Sequence, residues 1–159
     1  MIKQATASHA TLSHEHFILD AELSSSLDFS NRKLMTENLA ADLLAGLGME
    51  ELGPLQIYDA TDKQFPGWSF IQPITTSHIS GHYFEETIDA SHIHMDIYSC
   101  TPFDWKTVMF IIQKHFPIKR WSANFIKRSI GNMGREVLDI HYSDSETFLQ
   151  QTKVSPQIN

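Results

Sequence analysis

The chain has 159 residues, of which 42% are hydrophobic and 19% charged, and its formal net charge is -7. This length and composition suit one folded domain with a hydrophobic core and exclude a disordered chain. The single cysteine excludes an internal disulfide, and no apolar run approaches the ~20 residues that a transmembrane helix needs. Residues 1–16 lack the apolar core of a secretion signal, so we expect a cytoplasmic protein.

The first half of the chain predicts one strand, one helix and then a series of strands. Residues 1–13 are expected to form a loose arm, and residues 16–23 form the first predicted strand. Leucines at helical spacing predict an amphipathic helix over residues 32–47, capped by Ser30 or Asn31. Short apolar or alternating runs then predict four strands, at residues 55–60, 68–74, 77–84 and 91–100.

The second half adds one helix and further strands. A helix is predicted over about residues 103–116, where Pro117 ends it. Residues 119–130 alternate basic and apolar side chains, which predicts a long half-exposed strand, and residues 137–142 predict a short one. Residues 143–159 are polar and are expected to be a frayed tail. Many strands beside two helices favour a single α+β domain, a two-layer sandwich whose mainly antiparallel sheet carries helices on one face.

The basic residues near the last long strand do not indicate a nucleic-acid surface. Lys119 and Arg120 are split from Lys127 and Arg128 by a run that contains apolar residues, so alternation on a strand explains the four at least as well as a nucleic-acid surface does. We therefore expect no nucleic-acid partner and no membrane partner.

Three residues in two neighbouring predicted strands are candidates for chemistry. Ser77 begins one strand, His82 follows five positions later, and Cys100 ends the next strand. A serine hydroxyl becomes a nucleophile when a base or backbone strain activates it, histidine transfers protons near neutral pH, and a thiol can serve as an acid. On spacing alone, the simpler interpretation is favoured, in which Ser77 is an ordinary strand-end serine and Cys100 a small buried apolar residue.

The two segments that carry these residues resemble the self-processing region of the prokaryotic S-adenosylmethionine decarboxylases. That family has Ser-His-x-x-x-His followed by Asp-x-x-x-Cys, and the chain has these patterns at residues 77–82 and 96–100. The order of helices and strands is also similar, and the resemblance covers roughly residues 15–130. The chain departs from the family pattern in having Thr76 where a glutamate is usual and Gly81 where a bulkier residue is usual. It also has three extra residues between the histidine and the cysteine.

The resemblance implies a cofactor that the chain makes from itself. Ser77 would attack the carbonyl of Thr76, His82 would promote the following elimination, and the chain would split between Thr76 and Ser77. Ser77 would then be left as a pyruvoyl group, which forms a Schiff base with the substrate amine and accepts the electrons released with CO₂. Cys100 would protonate the product carbon.

The resemblance also implies the substrate and the assembly. The expected substrate is S-adenosylmethionine, and the expected product is the aminopropyl donor for polyamine (spermidine) synthesis. A homodimer of processed protomers is expected, with the sites near the interface. Glu86 is the favoured substrate-binding carboxylate, with Glu85 beside it, and Phe17 is a candidate to stack on the adenine. Core packing for Phe17 and an ordinary solvated carboxylate for Glu86 stay open as alternatives.

Other functions also stay open. The same scaffold could decarboxylate another amino acid such as arginine or ornithine, or the chain could be an unprocessed homologue without enzymatic activity. His92 and His94 share a strand face and could bind zinc with His82, but the spacing indicates no defined site, so no metal is expected. Ser77, His82 and Asp96 could be drawn as a hydrolase triad, an interpretation that ranks below self-processing.

Overall fold

The computed structural model describes residues 13–85, 90–128, 134–143 and 146–154. Within these residues, eight antiparallel strands form one sheet, and two helices cover one of its faces. The helices are α1 (Arg32–Leu47) and α2 (Trp105–His115). The strands are β1 (His14–Leu23), β2 (Gln56–Ala60), β3 (Gly67–Ile74), β4 (Ser77–Phe84), β5 (His92–Ser99), β6 (Ile118–Arg128), β7 (Arg135–Ser143) and β8 (Glu146–Val154). Their order across the sheet is β2-β3-β4-β5-β1-β6-β7-β8.

Alternate residues of the central strands build the core. In β1, Phe17 and Leu19 are fully buried while Ile18 between them is half-buried, because successive side chains point to opposite faces of a sheet. On the helices, Leu43 of α1 and Ile112 of α2 are fully buried in the same core cluster. The predicted α+β class with helices on one face is therefore confirmed. The other face of the sheet, called the open face below, has no helix over it among the described residues.

The first helix begins at the predicted residue, but the interactions at its start differ from those predicted. Asn31 is the N-cap residue of α1, but its side chain makes no capping hydrogen bond. A short 3-10 turn, Phe29–Asn31, precedes the helix, and the Asp28 carboxylate accepts the N–H of Ser30 at 2.9 Å. Hydrogen bonds from the Ser30 side chain and backbone lower the pKa of Asp28. The carboxylate thus caps the 3-10 turn, a role that the sequence analysis did not give to Asp28.

The polar C-terminal region contains a strand that the sequence analysis did not predict. The structure places β8 where a frayed tail was expected, and β8 pairs with β7 along the length of both strands. The described side chains of β8 are exposed. With no buried face, β8 carries no alternating apolar pattern, so period-based reasoning had no signal to detect.

Gly81 in β4 is required by close packing. A Cβ atom built on Gly81 would lie 2.4 Å from Cε1 of Phe70 and 3.2 Å from Cγ of Met95. The ring of Phe70, which is 2% exposed, therefore occupies the space that a side chain at residue 81 would fill. We predict that Gly81→Ala lowers the free energy of unfolding by about 1–3 kcal/mol, the usual cost of overpacking a core. Urea denaturation measures this loss, and unchanged stability would contradict the packing.

Candidate active site

Ser77 lies directly after a two-residue turn between β3 and β4. Its backbone φ is 153°, and among the described residues it is the only non-glycine residue with a positive φ. Pairing of Ser77 with Ile74 on one side and with Ser99 of β5 on the other holds it in this conformation. Such a conformation costs of the order of 1–3 kcal/mol and is found mainly at functional sites. Ser77, the nucleophile predicted from the sequence, is therefore also the described residue with a strained backbone conformation.

The carbonyl oxygen of Thr76 accepts a hydrogen bond from the backbone N–H of Cys100, with an N–O distance of 3.0 Å. This carbonyl belongs to the residue directly before Ser77. A backbone N–H aimed at a carbonyl oxygen stabilises the negative charge that a nucleophilic attack would place on that oxygen. The structure thus brings together Thr76, Ser77 and the backbone of Cys100.

A buried serine contacts the side chain of Thr76. The hydroxyl of Ser99 is within 3.1 Å of Thr76 Oγ1 and 3.0 Å of Thr101 Oγ1, and it accepts the N–H of Thr101 at 3.0 Å. Ser99 is 0% exposed. The sequence analysis did not single out Ser99, because its contact with Thr76 depends on the register between β4 and β5.

The histidine beside the Ser77 hydroxyl is His78, not His82. Ser77 Oγ and His78 Nδ1 are 3.2 Å apart. His82 lies five residues further along the extended strand, about 17 Å away at ~3.4 Å per residue. Its Nδ1 is 2.7 Å from Ser69 Oγ, and its side chain is exposed on the open face. One protomer therefore does not bring His82 to Ser77.

His78 belongs to a group of aromatic and imidazole rings on the open face. Its ring centroid lies 5.9 Å from that of Tyr98, and the Tyr98 hydroxyl is 2.6 Å from His14 Nδ1. The guanidinium of Arg128 lies over the same tyrosine ring at 4.7 Å. The Ser77 hydroxyl therefore contacts an imidazole that faces the uncovered side of the sheet.

Among the described residues, neither the hydrolase triad nor the three-histidine zinc site suggested by the sequence is assembled. Asp96 is 2.9 Å from His16 Nε2, so it does not serve as the orienting carboxylate for His82 in a hydrolase triad. His94 Nδ1 lies 2.5 Å from Asp20 Oδ1. Within the part of the chain that the structure describes, no group of three histidine, cysteine, aspartate or glutamate side chains is arranged to hold a metal ion.

The predicted substrate contacts do not surround Ser77. Phe17 is 0% exposed in the core beneath the helices, so its ring has no free face for an adenine. Glu85 follows the far end of β4, about 27 Å from Ser77 at ~3.4 Å per residue. Glu86 lies outside the described residues. The described part of one protomer therefore does not place the predicted adenine and ribose contacts at the reactive residue.

The basic residues of β6 are paired with acids or rings. Lys119 and Arg120 both donate to Glu22, and these hydrogen bonds lower the pKa of its carboxyl. Lys127 lies 3.5 Å from Glu15. No helix among the described residues is long and apolar enough to cross a membrane.

Comparison with known proteins identifies the family. No curated protein matches the chain. The family model described as S-adenosylmethionine decarboxylase matches residues 15–129, well over half of the chain. The matched region runs from β1 through β6 and includes the strained Ser77, the Thr76 carbonyl and Cys100. The chain therefore belongs to the S-adenosylmethionine decarboxylase family.

Proposed function

We propose that the chain cleaves itself between Thr76 and Ser77, converts Ser77 to a pyruvoyl group and then decarboxylates S-adenosylmethionine. Membership of the family supports a decarboxylase of this type. The motif resembles the prokaryotic members, and the product would be the aminopropyl donor for polyamine synthesis. The observation that carries the proposal is the strained Ser77, whose preceding carbonyl oxygen is held by the N–H of Cys100.

The first step needs only groups that the structure places together. The Ser77 hydroxyl adds to the carbonyl carbon of Thr76, and the Cys100 N–H stabilises the charge on the oxygen. His78 Nδ1, 3.2 Å from the hydroxyl oxygen, takes its proton. The C–N bond of the peptide then breaks, and the nitrogen of Ser77 takes up a proton as an amine. The peptide has become an ester, and relief of the strained φ favours this direction.

The second step releases the two chains. A base removes the Cα proton of Ser77, and the carboxylate of Thr76 leaves from Cβ, which gives a dehydroalanine at residue 77. This enamine takes up its proton at carbon, water hydrolyses the resulting imine, and ammonia leaves. The products are a chain that ends at Thr76 and a chain that begins with a pyruvoyl group.

The residues around Ser77 fit this cofactor. Ser77 is the first residue of β4, so the group formed from it would begin the second chain and stay anchored in the sheet. The pyruvoyl group supplies an electron sink for the loss of CO₂ from an α-amino acid. Cys100 follows β5 beside the same turn and holds a thiol proton that can be given to the carbon that loses CO₂.

We propose that His82 acts on Ser77 of a second copy of the chain. About 17 Å separates the two residues along one strand, at ~3.4 Å per residue, so His82 cannot be the base for its own serine. His82 is exposed on the open face, and the Ser77 hydroxyl contacts His78 on that face. Two protomers that pair these faces about a two-fold axis would each offer His82 to the other. This arrangement explains how one motif can contain both residues.

Mixed dimers test this arrangement. We predict that a His82→Ala chain expressed alone is processed at least ~10²-fold more slowly, as expected when a general base is lost. When a Ser77→Ala chain of different mass is co-expressed, it supplies an intact His82, and the His82→Ala chain should again be cleaved. Intact mass spectrometry of the two chains measures this.

The control partner carries both substitutions and should give no rescue. Equal processing of His82→Ala alone and in mixed dimers would contradict the proposed action between protomers. That result would not contradict the proposed cleavage between Thr76 and Ser77.

The substrate is tested separately. No lysine or arginine occurs between Lys63 and Lys106, so the segment that carries Ser77 and Cys100 adds no fixed positive charge of its own, which favours a cationic substrate. The guanidinium of Arg128, from β6, is held over the ring of Tyr98. We predict CO₂ release from S-adenosylmethionine and competition by adenosine analogues. Release from arginine or ornithine without such competition would overturn the substrate and preserve the pyruvoyl chemistry.

A further inference from the structure

We propose that Ser99 is a positioning residue for the self-cleavage, acting on the scissile peptide through the side chain of Thr76. The inference rests on the proposed cleavage between Thr76 and Ser77. Ser99 does not touch the reacting atoms in the structure. Its hydroxyl lies 3.1 Å from the hydroxyl of Thr76, the residue that supplies the attacked carbonyl.

Thr76 is held at two points by two consecutive residues. Its side-chain oxygen contacts Ser99 Oγ, and its carbonyl oxygen accepts the N–H of Cys100 at 3.0 Å. Strand pairing already holds the backbone on both sides of the turn. The contact to the Thr76 side chain adds to the hydrogen bond on its carbonyl, and together they restrict the orientation of the peptide plane between Thr76 and Ser77.

This orientation decides whether the hydroxyl can attack. The Ser77 oxygen reaches the carbonyl carbon of the preceding residue only through a five-membered ring, which forms when the face of the carbonyl is turned toward the serine side chain. Reactions of this kind depend strongly on how well the two groups are aligned beforehand. The hydroxyl of Ser99 contributes by keeping the Thr76 peptide in the reactive orientation.

Ser99 is itself held rigidly. It is 0% exposed, and its oxygen accepts the N–H of Thr101 at 3.0 Å while contacting Thr101 Oγ1. Further along, the N–H of Phe103 donates to the buried carboxylate of Glu15 at 2.9 Å, and Glu15 is the register partner of Ser99 on β1. The segment that contacts Thr76 is therefore fixed to the central strand β1. Because this segment is fixed, its contact with Thr76 holds the turn in place.

A double-mutant cycle tests the inference. Ser99→Ala removes one hydroxyl, and Thr76→Val removes the other while keeping the shape of the side chain. Each change should slow self-cleavage about 3- to 10-fold, the effect of one hydrogen bond expressed as a rate. The double variant should be no slower than the slower single variant, because both remove the same contact.

Thr76→Ser is the conservative control, since it keeps the hydroxyl, and it should cleave within about twofold of the wild-type rate. The rate is the half-time of conversion of freshly synthesised proenzyme into two chains, followed by intact mass. Thermal unfolding of each variant, made on a Ser77→Ala background that cannot cleave, shows whether it is folded.

The outcomes separate positioning from packing. If Ser99→Ala and Thr76→Val lower the unfolding temperature but cleave at the wild-type rate, Ser99 only stabilises the fold and the inference is overturned. Rate losses that multiply in the double variant also overturn it, because the two hydroxyls then act independently. If Ser99→Ala does not fold, the cleavage rate of Thr76→Val compared with that of Thr76→Ser, at a half-buried position, tests the inference by itself. A wild-type chain that never cleaves overturns the proposed function, whereas cleavage at equal rates overturns only the role of Ser99.

Discussion

Ser77→Ala should stay one intact chain, because no hydroxyl remains to attack the carbonyl carbon of Thr76. The wild-type protein should instead appear as residues 1–76 and 77–159, with the second chain blocked to N-terminal sequencing. Ser80→Ala is the matched control, since Ser80 lies three residues further along the same strand and should leave cleavage unchanged. A wild-type chain that remains intact after prolonged incubation would remove the pyruvoyl mechanism.

A second substitution at the same position tests the strain. Ser77→Gly also removes the hydroxyl, so it should be equally uncleaved, but glycine adopts a positive φ without cost. We expect Ser77→Gly to be at least as stable as Ser77→Ala, because relief of roughly 1–3 kcal/mol of strain offsets the larger chain entropy of glycine in the unfolded state. Urea denaturation of the two uncleaved proteins compares them. A clearly less stable glycine variant would show that the φ of 153° stores no strain.

Periodicity predicted the elements well where one face of an element is buried. The helix at residues 32–47 and the strand at residues 77–84 have the predicted bounds, because their apolar positions recur with the period of the structure. The 3-10 turn before α1 and the existence of β8 were missed for different reasons. Asp28 acts through an intervening 3-10 turn, and β8 is held by pairing with β7 instead of burial.

The candidate site was predicted from a motif, and a motif does not state distances. The motif predicts one site for Ser77 and His82, yet five residues of extended strand place their backbones about 17 Å apart, at ~3.4 Å per residue. Strand alternation likewise puts Phe17 on the buried face together with Leu19. Both facts follow from elementary strand geometry once β1 and β4 are accepted. The nearer histidine, His78, was visible in the sequence as the neighbour of the serine.

The contacts that hold Thr76 could not be predicted from sequence. The partner Ser99 lies 23 residues away in sequence, and which residue of β5 faces the turn is decided by the register between β4 and β5. The sequence therefore does not show which residue contacts the threonine that stands where a glutamate is usual before the serine. In the structure the hydroxyl of Thr76 contacts the hydroxyl of Ser99, which in turn contacts the hydroxyl of Thr101.

Cys100→Ala should separate the two stages of the proposed chemistry. The hydrogen bond to the Thr76 carbonyl comes from the backbone N–H of residue 100, which alanine retains, so self-cleavage should continue. The thiol proton is lost, so decarboxylation of S-adenosylmethionine should fall by about 10²- to 10⁴-fold, the usual contribution of a general acid. Intact mass reports the first stage, and release of CO₂ from cleaved, purified protein reports the second.

Ser99→Ala is the complementary variant for the same pair of measurements. It should slow cleavage, yet once cleaved it should release CO₂ at close to the wild-type rate, since the Cys100 thiol is intact. Wild-type turnover by cleaved Cys100→Ala would assign that cysteine to packing alone. Failure of Cys100→Ala to cleave would show that its side chain, and not only its N–H, acts on the Thr76 carbonyl. The opposite behaviour of two adjacent residues is the expected result, because the proposed mechanism uses the backbone at the end of β5 for cleavage and the thiol for proton transfer.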